Sequence, residues 1–404
     1  MPRGEAKGSA VIDVDSGFGP SNLPYCVFAF GGEVSVGVRL HNRVISLRML
    51  VENGRLPGEC GASNLNPLMA AGRARWDDVR STLLEMIERD DSGVTAAAHN
   101  LEEITLLLPF DVADYVDFYS SEQHATNLGR MFRPDADPLL PNWKHLPVGY
   151  HGRAGTIVIS GTEIKRPSGQ RKEQDGSVGF GPSRRLDIEL ELGYVIGGDT
   201  RMGEPVSVKE AEDHIFGFFL VNDWSARDIQ AWEYVPLGPF LGKSFATSIS
   251  PWVVPTAALE PFRVQQPVQE PEPLAYLQGD GSWGLDIDLE VGLRSSAMTV
   301  PDIVSETNFK DMYWSPVQQI AHMTVNGASL RTGDVCASGT VSGSEPGSYG
   351  SLIELSWNGS EPIQLSDDST RTFLQDGDQV TLRGLASNEE STVGFGEVTG
   401  VIVP

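Results

Sequence analysis

The stretch Asp187-Ile188-Glu189-Leu190-Glu191 is the most informative in the chain, because acidic and apolar residues alternate along it. Side chains of a β-strand point alternately to its two faces, so Glu189 and Glu191 share one face, and Ile188 and Leu190 the other. Two neighbouring carboxylates repel each other unless a cation lies between them. A hard divalent metal ion, which prefers oxygen ligands, is the obvious candidate. The stretch therefore predicts a strand with a possible metal site on its acidic face.

A second stretch shows that this alternation alone is not diagnostic. Residues 286–290 read Asp-Ile-Asp-Leu-Glu and carry the same pattern. Alternating acids are more often the solvated face of a strand, and that alternative stays open for Glu189 and Glu191. We expect Asp286, Asp288 and Glu290 to be solvated and without function, because no matching partners accompany them.

The composition is that of a globular protein with a strong acidic excess. The chain has 404 residues, of which 40% are hydrophobic and 21% are charged. This length exceeds what one core usually supports, so we expect two domains. With 30 basic and 55 acidic residues and a formal net charge of -25, the protein should avoid nucleic acid and anionic membranes. An anionic substrate would need a local cluster of Arg and Lys.

Cysteine usage and the N-terminus predict a cytoplasmic protein. Cys26, Cys60 and Cys336 are far apart and form no zinc-binding or Cys-x-x-Cys spacing. An odd number of separated cysteines fits a reducing compartment. Residues 1–7 lack the apolar run of a signal peptide, and the longest apolar run, residues 215–221, is too short to span a bilayer.

Short β signals separated by Gly and Pro run through the whole chain, which predicts a mostly β, mixed α/β fold. A Gly31-Gly32 pair between two apolar runs predicts a hairpin, and residues 76–89 have helical periodicity. We place the boundary between two domains at residue 112, giving units 1–112 and 113–404. In the second unit the expected strands are 155–160, 186–195, 215–222, 286–293, 352–357 and 378–383, and the expected helices are 120–129, 224–234 and 307–320.

The helix expected at residues 224–234 would carry a polar stripe that begins at Asp223, directly before the helix. Arg227, Gln230 and Tyr234 follow Asp223 at spacings of 4, 3 and 4, so all four would lie on one helix face. Arg, Gln and Tyr can donate hydrogen bonds to anions and carbonyl groups, and the acid suits a metal. A solvated polar face with a capping Asp would give the same pattern.

His124 is the histidine with the most suggestive setting. Ser120 and Gln123 fit a capping box, which would place His124 in the first turn of a helix. The positive end of a helix favours the neutral imidazole that a general base requires, although a lone histidine is more often structural. Downstream, residues 238–244 have the wrong glycine spacing for a P-loop, so Lys243 is interpreted as a cation on a rigid loop.

Several longer motifs resemble the fumarylacetoacetate hydrolase family, from about residue 25 to the end of the chain. They are Asp-Phe-Tyr-Ser-Ser-x-Gln-His-Ala-Thr-Asn (117–127), Leu-Pro-Asn-Trp (140–143), Leu-Pro-Val-Gly-Tyr-His-Gly-Arg (146–153), Asn-Asp-Trp-Ser-Ala-Arg-Asp-Ile-Gln (222–230), Trp-Glu-Tyr-Val-Pro-Leu-Gly-Pro-Phe-Leu-Gly-Lys-Ser-Phe (232–245), Ala-Ser-Gly-Thr (337–340) and Ile-Glu-Leu-Ser-Trp (353–357). The resemblance implies a small SH3-like β-barrel domain followed by a larger mixed β-sandwich roll. It also implies a homodimer that binds Ca2+ and often Mg2+, and hydrolyses a carbon–carbon bond of 4-fumarylacetoacetate, an anionic diketo acid.

The resemblance also implies roles for individual residues. The calcium ligands would be Asp117, Glu189, Glu191 and Asp223. The general base would be His124, oriented by Glu354, and the oxyanion would be stabilised by Arg227, Gln230 and Lys243. Substrate would contact Tyr119, Arg133, Gln230, Tyr234 and Thr340, and a second cation would use Asp223, Lys243 and Thr247. One departure is Ala246, where the family commonly has Gly; a positive φ there would strain the second cation site.

Two other functions remain open at this point. A related hydrolase, such as an acylpyruvate hydrolase, would share the acidic cluster but usually lacks the N-terminal domain and the His124–Glu354 pairing. A noncatalytic metal-binding protein could keep the same fold. An activity panel would separate these possibilities.

Overall fold

The computed structural model describes residues 11–404, and residues 1–10 of the predicted first domain lie outside the described chain. Strands are far more numerous than helices along the described chain, so the predicted mostly β, mixed α/β class is confirmed. Within residues 11–404, no helix combines the length and the hydropathy needed to cross a membrane.

The N-terminal unit combines one antiparallel sheet with four helices. Its strands are β1 (Tyr25–Phe30), β2 (Glu33–Leu40), β3 (Arg43–Ser46), β4 (Ala98–Asn100) and β5 (Thr105–Leu107), and its helices are α1 (Leu47–Glu52), α2 (Asn66–Ala70), α3 (Arg73–Glu88) and α4 (Ser92–Ala96). The sheet order is β4-β3-β2-β1-β5. The predicted hairpin is present, with Gly31 and Gly32 at φ of 59° and 87°, values that glycine adopts without strain. The predicted helix is α3.

The second unit contains two larger sheets and several two-stranded pairs. Its helices are α5 (Glu122–Phe132), α6 (Arg227–Glu233), α7 (Pro316–Thr324) and α8 (Leu352–Leu355). Its strands are β6 (Tyr115–Phe118), β7 (Gly149–His151), β8 (Ile157–Ile159), β9 (Ile164–Lys165), β10 (Ser168–Lys172), β11 (Val178–Pro182), β12 (Leu186–Asp187), β13 (Leu190–Ile196), β14 (Ile215–Asp223), β15 (Ser225–Ala226), β16 (Thr247–Ile249), β17 (Val254–Pro255), β18 (Arg263–Val264), β19 (Gly284–Leu285), β20 (Asp288–Arg294), β21 (Asp302–Asn308), β22 (Val335–Ala337), β23 (Ile363–Gln364), β24 (Thr370–Arg371), β25 (Gln379–Ser387) and β26 (Thr392–Val403).

The central sheet of eight strands is covered on both faces. Its order is β7-β6-β22-β13-β14-β16-β8, with β17 also paired to β14, and a five-stranded sheet has the order β21-β20-β25-β26-β9. Leu192 of β13 and Leu220 of β14 pack in the core shared with the five-stranded sheet. Val195 and Phe219 point to the other face and pack with the N-terminal unit. Burial on both faces explains the apolar run 215–221, which makes up most of β14.

Three local predictions were wrong. Residues 352–357 were expected to be a strand, but α8 lies there instead. The expected helix at 307–320 is divided, since β21 ends at Asn308 and α7 begins at Pro316. The strand expected at 186–195 is interrupted between β12 and β13, because its first part pairs with β15 and its second part with β14 and β22.

Candidate active site

Four acidic side chains from three strands of the central sheet meet in one place; β13 and β14 are adjacent, and β22 lies between β13 and β6. Glu191 lies at the start of β13 and Glu189 directly before that strand, Asp223 ends β14, and Asp117 lies in β6. Antiparallel pairing of Leu190 with Asn222 brings the start of β13 beside the end of β14. The interruption before β13 is spanned by a hydrogen bond of 3.2 Å from the Asp223 amide to the Glu189 carbonyl.

The four carboxyl groups form a compact, buried cluster. Asp117, Glu189, Glu191 and Asp223 each offer an oxygen within 4.8 Å of the others. They are the only group of three or more potential His, Cys, Asp or Glu ligands of this kind in residues 11–404. Both carboxylate oxygens of Glu191 and Oδ1 of Asp117 are buried without a hydrogen-bond partner. Unpaired buried carboxylate oxygens are costly, and an oxygen-only donor set fits a hard divalent cation.

Two cationic side chains compensate part of this charge. The Lys243 ammonium group donates to Asp223 Oδ2 at 2.7 Å and also to Glu189. The Arg227 guanidinium lies 2.7 Å from Glu189 Oε1 through Nη1. Both cations therefore bind Glu189, while Glu191 and Asp117 have no such partner. The side chain of Thr247 completes the surroundings by donating to Asp223 Oδ1 at 2.9 Å.

The pKa shifts follow the same division. Burial, followed by repulsion from Asp223, raises the pKa of Asp117 well above its usual value. Burial and the neighbouring Asp117 and Glu189 likewise raise the pKa of Glu191. Burial opposes the charge of Glu189 as well, but Lys243 and Arg227 outweigh it and lower the pKa of Glu189. A metal ion bound here would favour the ionised forms of Asp117 and Glu191, which the surrounding protein alone disfavours.

A buried histidine–carboxylate pair lies beside the cluster. His124 Nδ1 is 2.6 Å from Glu354 Oε2, and both side chains are almost fully buried. An ionised carboxylate only accepts hydrogen bonds, so the contact assigns the proton to Nδ1 and leaves Nε2 as the basic nitrogen. Burial alone would raise the pKa of Glu354, but His124 and the donors Asn127 and Ser351 lower it.

The helix that carries His124 begins one residue later than expected. The N-cap of α5 is Ser121, not Ser120, and its side chain accepts a hydrogen bond from the His124 amide at 3.2 Å. Ser120 instead accepts from Gln319 at 2.8 Å. His124 lies in the first turn of α5, as predicted, because the helix begins at Glu122.

The structure brings together only some of the residues that were expected to contact substrate. Tyr119 packs edge-on against the His124 ring with centroids 5.3 Å apart. Thr340 is buried with Oγ1 unpaired, and the buried Nε of Arg133 also has no partner. Gln230 accepts a hydrogen bond through Oε1 from Arg227 Nη1 at 3.3 Å. Tyr234, by contrast, is the C-cap of α6 and is 49% exposed.

Two further positions bear on the sequence-based expectations. Ala246 is not among the residues of the described chain that have a positive φ, so the strain that we considered at this position does not arise. A cavity lies beside the cluster. Tyr150 is one of the residues that line it, and its hydroxyl donates to Asp223 Oδ2 at 2.8 Å. The cavity has a volume of about 340 Å³.

The second acidic stretch was only partly solvated, so one expectation was wrong. Glu290 is 2% exposed and pairs with Arg383 at 3.0 Å. Asp286 is half-buried and accepts from Asn308 and Lys310, and Asp288 is exposed. Glu290 is buried because Arg383 of β25 lies directly opposite it in the sheet register and compensates its charge.

Sequence reasoning missed the residues that support the site from behind. Asp187, fully buried, pairs with Arg227 at 2.8 Å. Ser342 and Ser351 donate to Glu354 Oε2 at 2.9 and 2.7 Å, and Asn127 donates to Oε1 at 2.9 Å. Only Asp187 left a signal in the sequence, as the first acid of the alternating stretch. Ser342, Ser351 and Asn127 are polar residues of common types, and no local pattern distinguishes them as partners of Glu354.

Two family models match successive stretches of the chain. Residues 21–109 match the family model described as fumarylacetoacetase N-terminal. Residues 114–403 match the model described as fumarylacetoacetate (FAA) hydrolase C-terminal.

Curated relatives and solved structures extend the match. The chain is 48% identical to a fumarylacetoacetase of Arabidopsis thaliana, covering 97% of this chain and 98% of the relative. It is 45% identical to the fumarylacetoacetase of Homo sapiens, with 96% and 97% covered. A fumarylacetoacetate hydrolase structure from Exiguobacterium antarcticum has a TM-score of 0.55 at 17% identity, covering 94% of this chain and 99% of that one, and supports the fold alone. The chain belongs to the fumarylacetoacetate hydrolase family.

Proposed function

We propose that the protein hydrolyses the carbon–carbon bond of 4-fumarylacetoacetate to give fumarate and acetoacetate, the last step of tyrosine and phenylalanine breakdown. The observation that carries the proposal is the His124–Glu354 pair beside the four-carboxylate cluster, since a base and a metal site together suit a metal-assisted hydrolysis. Relatives named fumarylacetoacetase match over nearly the full length.

Asp117, Glu189, Glu191 and Asp223 would hold a divalent cation, and we propose Ca2+. When bound, it would draw electron density from the diketone oxygens of the substrate and favour the enolate form of the leaving fragment. The unpaired oxygens of Glu191 and Asp117 support this assignment. Mg2+ would be the second cation, near Asp223, Lys243 and Thr247, with Lys243 contributing through its backbone because its ammonium group is a cation.

Bond cleavage needs a base, a nucleophile and compensation for negative charge. His124 Nε2 takes a proton from water, and the resulting hydroxide adds to the carbonyl carbon of the fumaryl half. The bond from that carbon to the neighbouring methylene then breaks, its electron pair stays on the acetoacetate fragment, and a proton completes acetoacetate. Glu354 holds the imidazole in orientation and stabilises its charged form. A well-placed donor to the oxyanion contributes about 3–4 kcal/mol.

Donors for that oxyanion are present at the cluster. We propose Arg227, Gln230 and Lys243 for this role, supported by the buried and unpaired Nη2 of Arg227. Tyr119, Arg133, Tyr234 and Thr340 would contact the rest of the substrate. The unpaired Arg133 Nε and Thr340 Oγ1 support two of these contacts. Tyr234 has the weakest support because it is half exposed.

Finer features of the assembly are proposed alongside the activity. A homodimer is supported by exposed apolar residues between 232 and 241, such as Leu237 at 97% and Phe240 at 66% exposure, since such a patch is typical of an interface. Sedimentation should give twice the monomer mass, and Leu237→Ser with Phe240→Ser should weaken the dimer. An SH3-like barrel, a β-sandwich roll, a boundary at 112 and a cytoplasmic location remain our proposals. Family models that meet between 109 and 114 support the boundary, and three free buried cysteines support the location.

The test of the activity is turnover of fumarylacetoacetate, measured by loss of substrate and formation of fumarate, before and after chelation. We expect turnover that is lost on chelation and restored by Ca2+ or Mg2+. A panel of acylpyruvates serves as the comparison. Turnover of acylpyruvates without turnover of fumarylacetoacetate would contradict the proposal, as would full activity after complete removal of metal.

A further inference from the structure

Asp187 is a fully buried carboxylate whose four hydrogen bonds all come from N–H donors. Oδ1 accepts from the amides of Ile188 at 2.7 Å and Leu352 at 2.8 Å. Oδ2 accepts from the Ile353 amide at 3.1 Å and from Arg227 Nε at 2.8 Å. A carboxylate offers about four acceptor positions, so this set uses all of them. Asp187 therefore has no capacity left for a metal ion or for substrate.

One of these four bonds fixes the guanidinium of Arg227. With Nε held by Asp187, Nη1 reaches Glu189 at 2.7 Å and Gln230 at 3.3 Å. Nη2 is left buried and unpaired. The guanidinium is planar, so fixing Nε and Nη1 also fixes the direction of Nη2. Asp187 thereby determines where the free N–H groups of Arg227 are aimed.

Two of the other bonds fix the helix that carries Glu354. Helix α8 has four residues, and its N-cap Ser351 makes no side-chain capping bond to it. Ser351 instead donates to Glu354 Oε2. The amides of Leu352 and Ile353, which a helix cannot satisfy internally, donate to Asp187. The position of Glu354 in this short helix thus depends on a residue that lies 167 positions earlier in the chain.

We propose that Asp187 is a positioning residue that holds Arg227 and the His124–Glu354 pair in one geometry. The inference rests on the proposed function, because it concerns the groups assigned to that reaction. Asp187 would act through these neighbours and would not touch the reacting atoms. A misplacement of about 1 Å at such groups can cost about 10²-fold in rate.

Asp187→Asn is the decisive variant, because the amide has nearly the same shape but its NH2 group must face an N–H donor. We expect kcat to fall about 10²-fold with a smaller change in KM, and metal content to stay at the wild-type level. We also expect the far-downfield proton NMR signal of His124 Nδ1, identified by its absence in His124→Ala, to shift or disappear. That signal is read on any folded protein, so it tests the positioning even if fumarylacetoacetate is not the substrate.

Asp378→Asn is the matched control. Asp378 is also a buried aspartate, and it accepts two bonds from Arg371 and one from the Gln375 amide. We expect this control to lose stability while keeping kcat and the His124 signal. If Asp187→Asn does not fold, Asp187→Ser avoids the donor–donor contact and takes its place. The proposal is overturned if a folded Asp187 variant keeps wild-type kcat and His124 signal, or if neither variant folds while Asp378→Asn does.

Discussion

Two acidic stretches of this protein have the same alternating pattern and opposite surroundings. In 187–191, Glu191 is buried with both carboxylate oxygens unpaired. In 286–290, Glu290 is equally buried, but Arg383 neutralises it at 3.0 Å. The difference lies in the neighbouring strands. Near Glu191, strands β14 and β6 bring the further acids Asp223 and Asp117, whereas β25 brings Arg383 opposite Glu290.

This comparison shows that burial alone does not identify a metal site. A buried carboxylate opposite a cation forms a closed structural pair, which needs nothing more from solvent or ligand. A buried carboxylate among other carboxylates ionises only at a high cost in free energy, which a bound cation would offset. Substitutions in the two stretches therefore test whether the first holds a metal ion and the second does not.

The largest effect is expected for Glu191→Gln, which removes the charge of the carboxylate that lacks partners. Metal should be lost, and kcat should fall by about 10³–10⁴-fold, because a bound metal contributes several kcal/mol to the transition state. Metal analysis of dialysed protein and turnover are the measurements. Wild-type metal content in the folded variant would show that Glu191 is not a ligand.

His124→Ala should separate the base from the metal site. We expect kcat to fall by about 10²–10⁴-fold, the usual contribution of a general base, while metal content stays unchanged. The two quantities are measured on the same preparation. Near-normal kcat would reject His124 as the base and favour a mechanism without a protein base.

Glu354→Gln should give a smaller loss of the same kind. The substitution keeps the shape of the side chain. It removes the negative charge of the carboxylate that accepts hydrogen bonds from His124, Ser342 and Ser351. Hydrogen bonds to charged groups are worth about 1.5–3 kcal/mol, so we expect kcat to fall about 10–100-fold. Turnover measured beside His124→Ala decides the order, and a loss larger than that of His124→Ala would assign Glu354 a direct part in the chemistry.

Glu290→Gln is the counterpart of Glu191→Gln in the other stretch. It leaves Arg383 without its buried partner, although Glu397 at 3.3 Å still neutralises part of that charge. We expect unfolding free energy to fall by about 1–3 kcal/mol and turnover per folded molecule to stay within about twofold. Urea unfolding and turnover are the readouts. Loss of metal would show that the two stretches are not distinct in function.

Asp288→Asn should have the smallest effect. This side chain is exposed, and exposed substitutions away from special features are typically within about 0.5 kcal/mol. Urea unfolding and turnover should both match the wild type, with kcat within about twofold. A hundredfold loss of turnover would place a second functional site on this strand.

Much of the fold could be predicted because its signals are local. The Gly31-Gly32 hairpin and the helix α3 follow from turn chemistry and periodicity within a few residues. The strand predicted at 352–357 failed because α8 is only four residues long and its first amides are satisfied by Asp187 of a distant segment. Such long-range capping has no local signature.

Local patterns in the sequence were enough to predict the apolar strand before Asp223, the helix that carries His124 and the family. Which of the two alternating stretches has buried carboxylates without a cationic partner could be seen only from the tertiary structure. That difference depends on strand neighbours from far along the chain, with Asp117 and Asp223 beside Glu191 and Arg383 opposite Glu290. Electrostatic compensation acts over a few ångströms in space, so the partners of a buried charge are known only once the strands are paired.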